Sequence, residues 1–247
     1  MPDTIFEQHA TFQSHIAEIR RRLFLFFGVF FAIFLVCYGF KESLFSLLAA
    51  PLSSALGAGR GMIFTHVTEG FFVYVKTAFF AAFCLTFPFG LYQIWAFVRP
   101  GLYHHEQKTV RHLFWATPAL FYSGSLFAYF LVIPGALHFF LSFESMNATF
   151  PIQLEARMGE YLSLIQQFLF AFGFCFLTPI VLIGLHCVGL VYKASLKRAR
   201  KFVFVGILIV AAFLTPPDVF SQILLALPMY LLFELSIYFI GEERERA

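Results

Sequence analysis

The stretch FPFGLYQIWAFVRPGLYHHEQK, residues 87–108, decides how the rest of the chain is read. An apolar helix, bent once at Pro88, runs out through Tyr92, Trp95 and Phe97 and ends at Arg99-Pro100-Gly101. Pro100 cannot continue a helix, and Gly101 supplies the dihedral freedom to turn. Tyr92, Trp95 and Tyr103 are the residues expected where a chain leaves hydrocarbon for headgroups. A short polar segment then carries one carboxylate, Glu106. The stretch reads as an acid held at a membrane surface by a turn with little slack.

The surrounding composition supports a membrane setting. Hydrophobic residues make up 60% of the 247, and mean hydropathy is +0.80, too apolar for a soluble domain of this length. The excess is grouped into runs separated by short charged segments, the pattern of an all-α polytopic membrane protein. The runs do not alternate as the strands of a transmembrane barrel would. With 38 Phe, both packing and lipid-facing surfaces are expected to be aromatic. No linker or composition shift divides the chain, so a single integral membrane domain over 1–247 is expected. Cys37, Cys84, Cys175 and Cys187 all lie in apolar runs without CxxC spacing, which reads as free thiols with neither a disulfide framework nor a metal site. The polar N-terminal segment and the lack of a small-residue cleavage site make the first apolar run an anchor, not a cleaved signal peptide.

Six spans are expected, over about 23–40, 70–98, 112–140, 161–190, 202–214 and 219–240. A polar lead-in from Thr4 to Arg22, with Ile5, Phe12, Ile16 and Ile19 at helical spacing, is expected to lie along the interface. An outer cap over 41–69 contains Pro51 and the Gly-rich GAGRG at 57–61, and a second loop over 142–160 shares its side. Six spans put both termini on one face. Counted by loop, thirteen Lys and Arg fall on that face (Arg20–Arg22, Arg99, Lys108, Arg111, Lys193, Lys197, Arg198, Arg200, Lys201, Arg244, Arg246). Only Lys41, Arg60 and Arg157 fall opposite, so the termini are expected in the cytoplasm.

Two irregularities bear on mechanism. Pro88, Pro118, Pro134, Pro179 and Pro228 each remove a backbone bond, so the bundle is expected to be bent into a concave, glove-like form. The plainer reading is that proline is commoner in membrane helices than in soluble ones. Span five has thirteen apolar residues before Thr215-Pro216-Pro217-Asp218. That is about 20 Å of helix against a hydrocarbon core of about 30 Å. The span must thin the bilayer or borrow polar flanks.

Enzymatic readings find little support. There is no nucleophile-elbow motif, and GAGRG lacks the strand and helix that a phosphate-binding loop needs. Tyr122-Ser123-Gly124-Ser125 reads as a small-residue packing patch, not a protease centre. His112 and His186 at span ends raise a bis-histidine haem or quinone redox subunit as an alternative, although no second layer of paired histidines exists. A polytopic secondary transporter is a further alternative, weakened by the absence of an internal repeat. No cofactor, metal or nucleic-acid partner is expected.

Polar residues within spans are costly and mark candidate sites. Lys76 is near enough to a span end to snorkel. Gln166 and Gln167 lie in span four, Gln222 and Glu234 in span six, and Asp218 at the start of span six. In HIAEIRRRL, residues 15–23, Glu18 stands four residues before Arg22. Spacing alone leaves two readings open, an ordinary solvated intrahelical pair or an acid facing the mouth of a groove.

HIAEIRRRL (15–23), TEGFFVYVK (68–76), the run from Pro88 to Glu106 and TPPDVFSQILLALPMYLLFE (215–234) together resemble the TatC subunit family of the twin-arginine protein translocase. The resemblance extends from about His15 to Glu234. It implies a receptor in the bacterial cytoplasmic membrane for folded cargo whose signal peptide carries paired arginines. Glu18 and Glu106 match the family's acids that contact those arginines, and Phe97 matches the aromatic residue beside them. The resemblance also implies single-span TatA- and TatB-type partners along spans five and six, where Phe213, Gln222 and Asp218 fall, with Glu234 further along. It implies more than one copy in the receptor complex, and transport driven by the proton motive force. Pro51, Phe71, Pro88, Pro100 and Gly101 carry over as structural positions. One departure stands out: relatives have an acid in span four two residues before proline, where this chain has Leu177. Gln166, about three turns earlier on a similar face, is the expected replacement for that polar contact.

Overall fold

The computed structural model describes residues 3–57, 60–98, 104–145, 153–187, 189–214 and 219–240, with side chains at all of these except 3–16, 98, 104–110 and 112. The described residues form helices α1 (Asp3–Gly39), α2 (Lys41–Leu56), α3 (Glu69–Val98), α4 (His104–Phe127), α5 (Ile133–Leu141), α6 (Met158–Cys175), α7 (Thr178–Cys187), α8 (Lys193–Leu214) and α9 (Val219–Phe239). Among the described residues, five stretches are long and apolar enough to cross a membrane: Ala17–Gly39, Glu69–Phe97, Leu113–Leu141, Met158–Cys187 and Val219–Phe239. α8 adds a further helix that is apolar beyond Lys201.

Two boundaries differ from the sequence expectation. The lead-in is not a separate interfacial helix, because α1 runs unbroken through 37 residues from polar to apolar sequence. Nothing between Asp3 and Phe27 is Gly or Pro, and Arg, Leu, Glu and Gln all favour helix. Likewise α8 begins at Lys193, so the basic run YKASLKRARK is largely helical. Its 22 residues rise about 33 Å, with the cationic run making up the first part and the apolar run the second.

The prolines differ in their local effect. Pro51, Pro88, Pro118 and Pro228 lie inside α2, α3, α4 and α9. A wide π-helical turn over Ala128–Val132 precedes Pro134 and separates α4 from α5. Span four breaks at Phe176-Leu177, with Thr178 donating from its hydroxyl to the Cys175 carbonyl at 2.7 Å, just before Pro179. Gly57 (φ 78°) and Gly189 (φ 75°) take left-handed conformations just past the ends of α2 and α7, where side chains are disfavoured.

The chain divides into two compact units, Met1–Phe45 with Tyr74–Gln107, and Ser46–Val73 with Lys108–Ala247. In the first, Ala78 and Ala82 of α3 are fully buried with Cys37 of α1, and Phe30, Ile33, Phe34 and Tyr38 pack on them. Small residues on α3 thus admit the aromatic face of α1. Phe30 meets Phe79 edge-on with ring centroids 5.1 Å apart.

In the second unit, α6 presents a buried stripe of Tyr161, Ile165, Phe168, Phe172 and Cys175, the three- and four-residue spacing of a helix face. It approaches α4 closely at two glycines. A Cβ on Gly124 would lie 2.5 Å from the Phe172 carbonyl oxygen, and one on Gly173 would lie 2.6 Å from the Phe121 ring. The Ser125 hydroxyl donates to the Leu169 carbonyl at 3.2 Å. The small-residue patch therefore sets the approach of two helices.

Outside the spans of this unit, residues 60–69 are pinned to 144–160. Arg60 donates two bonds to Glu144, at 2.5 and 3.1 Å, and a third to the Leu154 carbonyl at 3.0 Å. Ile63 bridges Arg157 in parallel, with the Ile63 amide donating to Ala156 at 3.0 Å and the Met158 amide to Ile63 at 2.9 Å. Glu69 accepts the Thr65 amide at 2.9 Å and the Gly159 amide at 2.8 Å. Arg157 donates to Glu160 and to the Thr65 hydroxyl.

Candidate functional site: an apolar groove with an acid at its lip

In the first unit, α1 and α3 enclose a cavity of about 360 Å³ lined by Ile19, Arg22, Leu23, Phe26, Gly90, Gln93, Ile94 and Phe97. The apolar members come from helical periodicity: Ile19, Leu23 and Phe26 recur on one face of α1, and Gly90, Ile94 and Phe97 on one face of α3. Gly90 is needed at the floor, since a Cβ there would sit 2.9 Å from the Phe26 ring.

Glu18 stands one helical turn from Arg22 at the edge of this cavity. The Arg22 Nε and Nη2 groups donate to its Oε1 at 3.1 and 2.6 Å. Arg22 also reaches α3, donating to Gln93 Oε1 at 3.4 Å and to the Ala96 carbonyl at 3.2 Å. The pair is half-desolvated, with 25% of the Arg22 side chain and 37% of Glu18 exposed. Glu18 makes the intrahelical pair, and its partner Arg22 lines the groove. Phe97 lines the same cavity.

Glu106 falls in the first turn of α4, and its side chain lies outside those described. Pro100, Gly101 and Asp218 lie outside the described residues altogether. The structure thus lines the groove with Phe97 and with Arg22, the partner of Glu18, and leaves the distance from Glu18 to Glu106 unspecified.

The other candidates are distributed over α2, α3, α6, α8 and α9. In the second unit a cavity of about 400 Å³ is lined by Gln167, Phe174, Cys175, Thr178, Val210 and Met229 among others. Gln167 is exposed and Gln166 half-buried, so the amide that opens onto this cavity is the neighbour of the expected one. Leu177 sits at the break between α6 and α7, partly exposed. Phe213, near the end of α8, is 83% exposed. Gln222 donates to the Leu208 carbonyl at 3.0 Å, joining α9 to α8. Glu234 is satisfied within the same hairpin, accepting from Arg200 at 2.8 Å and from the Tyr230 hydroxyl at 3.0 Å. Pro51 is buried in α2, while Phe71 is exposed at the start of α3 and packs edge-on against Phe72.

Sequence spacing paired Arg22 with Glu18 but did not join it to α3. Gln93 gave no signal beyond sharing a face with Gly90 and Phe97. Of the haem alternative, the described part is His186, whose Nδ1 lies 2.9 Å from the Val191 carbonyl and so donates to it, closing the end of α7. Among the described residues, no group of three or more His, Cys, Asp or Glu is placed to hold a metal ion.

Comparison with known proteins bears on this site. The family model described as "Sec-independent protein translocase protein (TatC)" matches residues 14–228. The Sec-independent protein translocase protein TatC of Rickettsia prowazekii is 42% identical over 92% of this chain and 91% of its own length. That of Escherichia coli K12 is 38% identical over 94% of this chain and 90% of its own. A solved structure, the twin arginine translocase receptor TatC crystallised in DDM, superposes with a TM-score of 0.78 and 32% identity, covering 92% of this chain and 99% of that one.

Proposed function

The chain belongs to the TatC family of Sec-independent protein translocase proteins, and we propose that it is the receptor and core subunit that binds twin-arginine signal peptides. The family is one of translocase subunits, not of enzymes, and the chain is a multi-pass membrane protein. The observation that carries the proposal is the α1–α3 groove, apolar along its walls with a half-exposed carboxylate at its lip. Such a site suits a peptide in which a cationic pair precedes an apolar segment. The acid takes a guanidinium in charge-assisted bonds, and the Phe26, Ile94 and Phe97 walls receive the apolar part.

Glu106, in the first turn of α4, is proposed to hold the second arginine. Two acids at a partly dry interface prefer Arg-Arg over Lys-Lys, since the planar fork gives two parallel bonds where an ammonium gives a point charge. The basic loops support an orientation with this end of the helices in the cytoplasm of a bacterial cell and the 60–69 and 144–160 segments outside. TatA- and TatB-type single-span partners are proposed to pack along α8 and α9, where Phe213 is exposed, and over the cavity that Gln167 lines beside Gln166. An amide facing lipid gains from a hydrogen-bonding partner helix. Transport of folded cargo by a homo-oligomeric receptor complex, driven by the proton motive force, completes the reading.

The test is crosslinking of a twin-arginine peptide to the protein in membranes. Glu18→Ala and Glu106→Ala should each lower the crosslinked fraction by tenfold or more, about the effect of removing one charge-assisted partner. Membrane insertion should be unchanged. Wild-type crosslinking in both variants would remove the proposal.

A further inference from the structure

We propose that Lys41, caged by Tyr38 and Tyr74, binds the phosphate of an anionic phospholipid in the headgroup layer at the end of α1 remote from the groove. The site shares no residue with the signal-peptide groove and does not depend on that reading.

Lys41 opens α2, two residues beyond the apolar stretch Ala17–Gly39. Its Nζ lies 4.7 Å from the centre of the Tyr38 ring and 5.6 Å from that of Tyr74. Tyr38 belongs to the last turn of α1, and Tyr74 comes from α3, five residues past the start of its apolar stretch at Glu69. Two helices thus bring aromatic rings to one ammonium. Both rings are buttressed. Phe34 packs against Tyr38 with centroids 6.3 Å apart, and Phe45 meets Tyr74 edge-on at 5.9 Å. Tyr38 and Phe34 also pack on the buried Cys37, Ala78 and Ala82. All these residues belong to the first unit.

An aromatic face attracts a cation through its quadrupole and leaves the charge uncancelled. Among the described residues, Lys41 has no carboxylate partner and no hydrogen-bond acceptor, and neither tyrosine hydroxyl is hydrogen-bonded. Arg60 and Arg157, the other cations expected on that side of the membrane, are paired with Glu144 and Glu160. Glu42, the neighbour of Lys41 in sequence, is exposed and makes no pair with it. A full positive charge with unused N–H donors therefore lies between two phenols that can also donate. An anion with several oxygens suits that set, and the headgroup layer is rich in phosphodiesters. Val36 and Phe40, 62% and 65% exposed near the end of α1, provide apolar surface for the acyl chains. A zwitterionic lipid brings its own ammonium beside the phosphate, whereas phosphatidylglycerol brings net charge, so the cage favours the second. Inorganic phosphate shares the oxygen chemistry but has no chains to hold it there.

The test reads lipid contact at this end of α1 alone. Phe40→Trp is introduced into the full chain with Trp95→Phe and Trp115→Phe, so that a single indole reports. The protein is placed in nanodiscs of phosphatidylcholine and phosphatidylglycerol, each lipid brominated in turn, and quenching gives their relative affinity at the indole. Phosphatidylglycerol should be favoured about fivefold, the scale of one lysine at a membrane surface. Lys41→Gln should abolish that preference, and Lys41→Arg should restore most of it. Tyr74→Leu keeps the ammonium and removes one ring; it should about halve the preference if the cage positions the charge. An undiminished preference there would reduce Lys41 to a bare surface charge and overturn the site. Equal quenching by both lipids with Lys41 intact, or an unchanged preference in Lys41→Gln, would overturn it as well. Inorganic phosphate, compared with chloride at equal ionic strength, should leave the preference unchanged. Its loss in phosphate would assign the cage to the free anion and overturn the lipid. Should Phe40→Trp disturb the fold, Val36→Trp places the indole one turn away and carries the same readings.

Discussion

At Glu144 a carboxylate is held by two guanidinium nitrogens of Arg60, at 2.5 and 3.1 Å, and by the Leu154 amide at 2.8 Å. The Arg60 bonds, helped by that amide, hold its carboxyl below the ordinary value of 4.5. A depressed folded pKa means that the clamp contributes fully above pH 4.5 and is lost as pH falls through the lower, folded value. Hydrogen exchange at the Leu154 amide, corrected for its intrinsic rate, should show constant protection from pH 7 to about 5 and a decline below about 4.5. Glu144→Ala should remove both the protection and the acid step; full protection in that variant at pH 6 would refute the clamp. Residue pairs of this kind divide sharply in how far sequence discloses them. Glu18 and Arg22 were readable because four residues is one helical turn. Arg60 with Glu144, and Arg22 with Gln93, are separated by 84 and 71 residues, and no local pattern joins them.

Among elements, the contact of α4 with α6 is demanding, because a backbone carbonyl of one lies against a glycine of the other. A methyl on Gly124 would press on the Phe172 carbonyl and on Phe176 Cγ at 2.7 Å, whereas one on Gly173 would meet mainly the Phe121 ring and the Ser125 hydroxyl. A ring can shift and a carbonyl in a buried helix cannot. Gly124→Ala should therefore destabilise by about 2–3 kcal/mol and Gly173→Ala by about 1–2 kcal/mol, within the range for overpacking. Thermal unfolding in detergent would show the order, and equal losses at both sites would reject the carbonyl argument. The six apolar helices were foreseeable because bilayer thickness dictates their length. The interruptions before Pro134 and Pro179 were foreseeable from the missing N–H, whereas Pro88, Pro118 and Pro228 sit inside continuous helices. The continuity of α1 and the early start of α8 were not, since polarity changes at Arg22 and Lys201 while helix propensity does not.

For the whole molecule, orientation is the property that the basic loops predict most directly. Cys187, at the end of α7 near the basic 193–201 run, is exposed, whereas Cys37 and Cys175 are buried and Cys84 partly so. A membrane-impermeant maleimide should label Cys187 in inverted vesicles and leave it unlabelled in right-side-out ones, with Cys187→Ser removing the signal. Labelling from the outer face would reverse the assigned topology and move the groove away from the cytoplasm.

The unbroken α1 has a mechanical consequence for such a molecule. From Glu18 to Gly39 the rod is about 32 Å long and contains no proline hinge. A kinked strut absorbs a push at its bend, but a straight one delivers it to the far end. Levering the arginine-bearing tip of α1 by about 5° would carry its opposite tip about 3 Å, given that rise per residue. A cargo signal seated on one leaflet would in this way be felt on the other without anything having crossed.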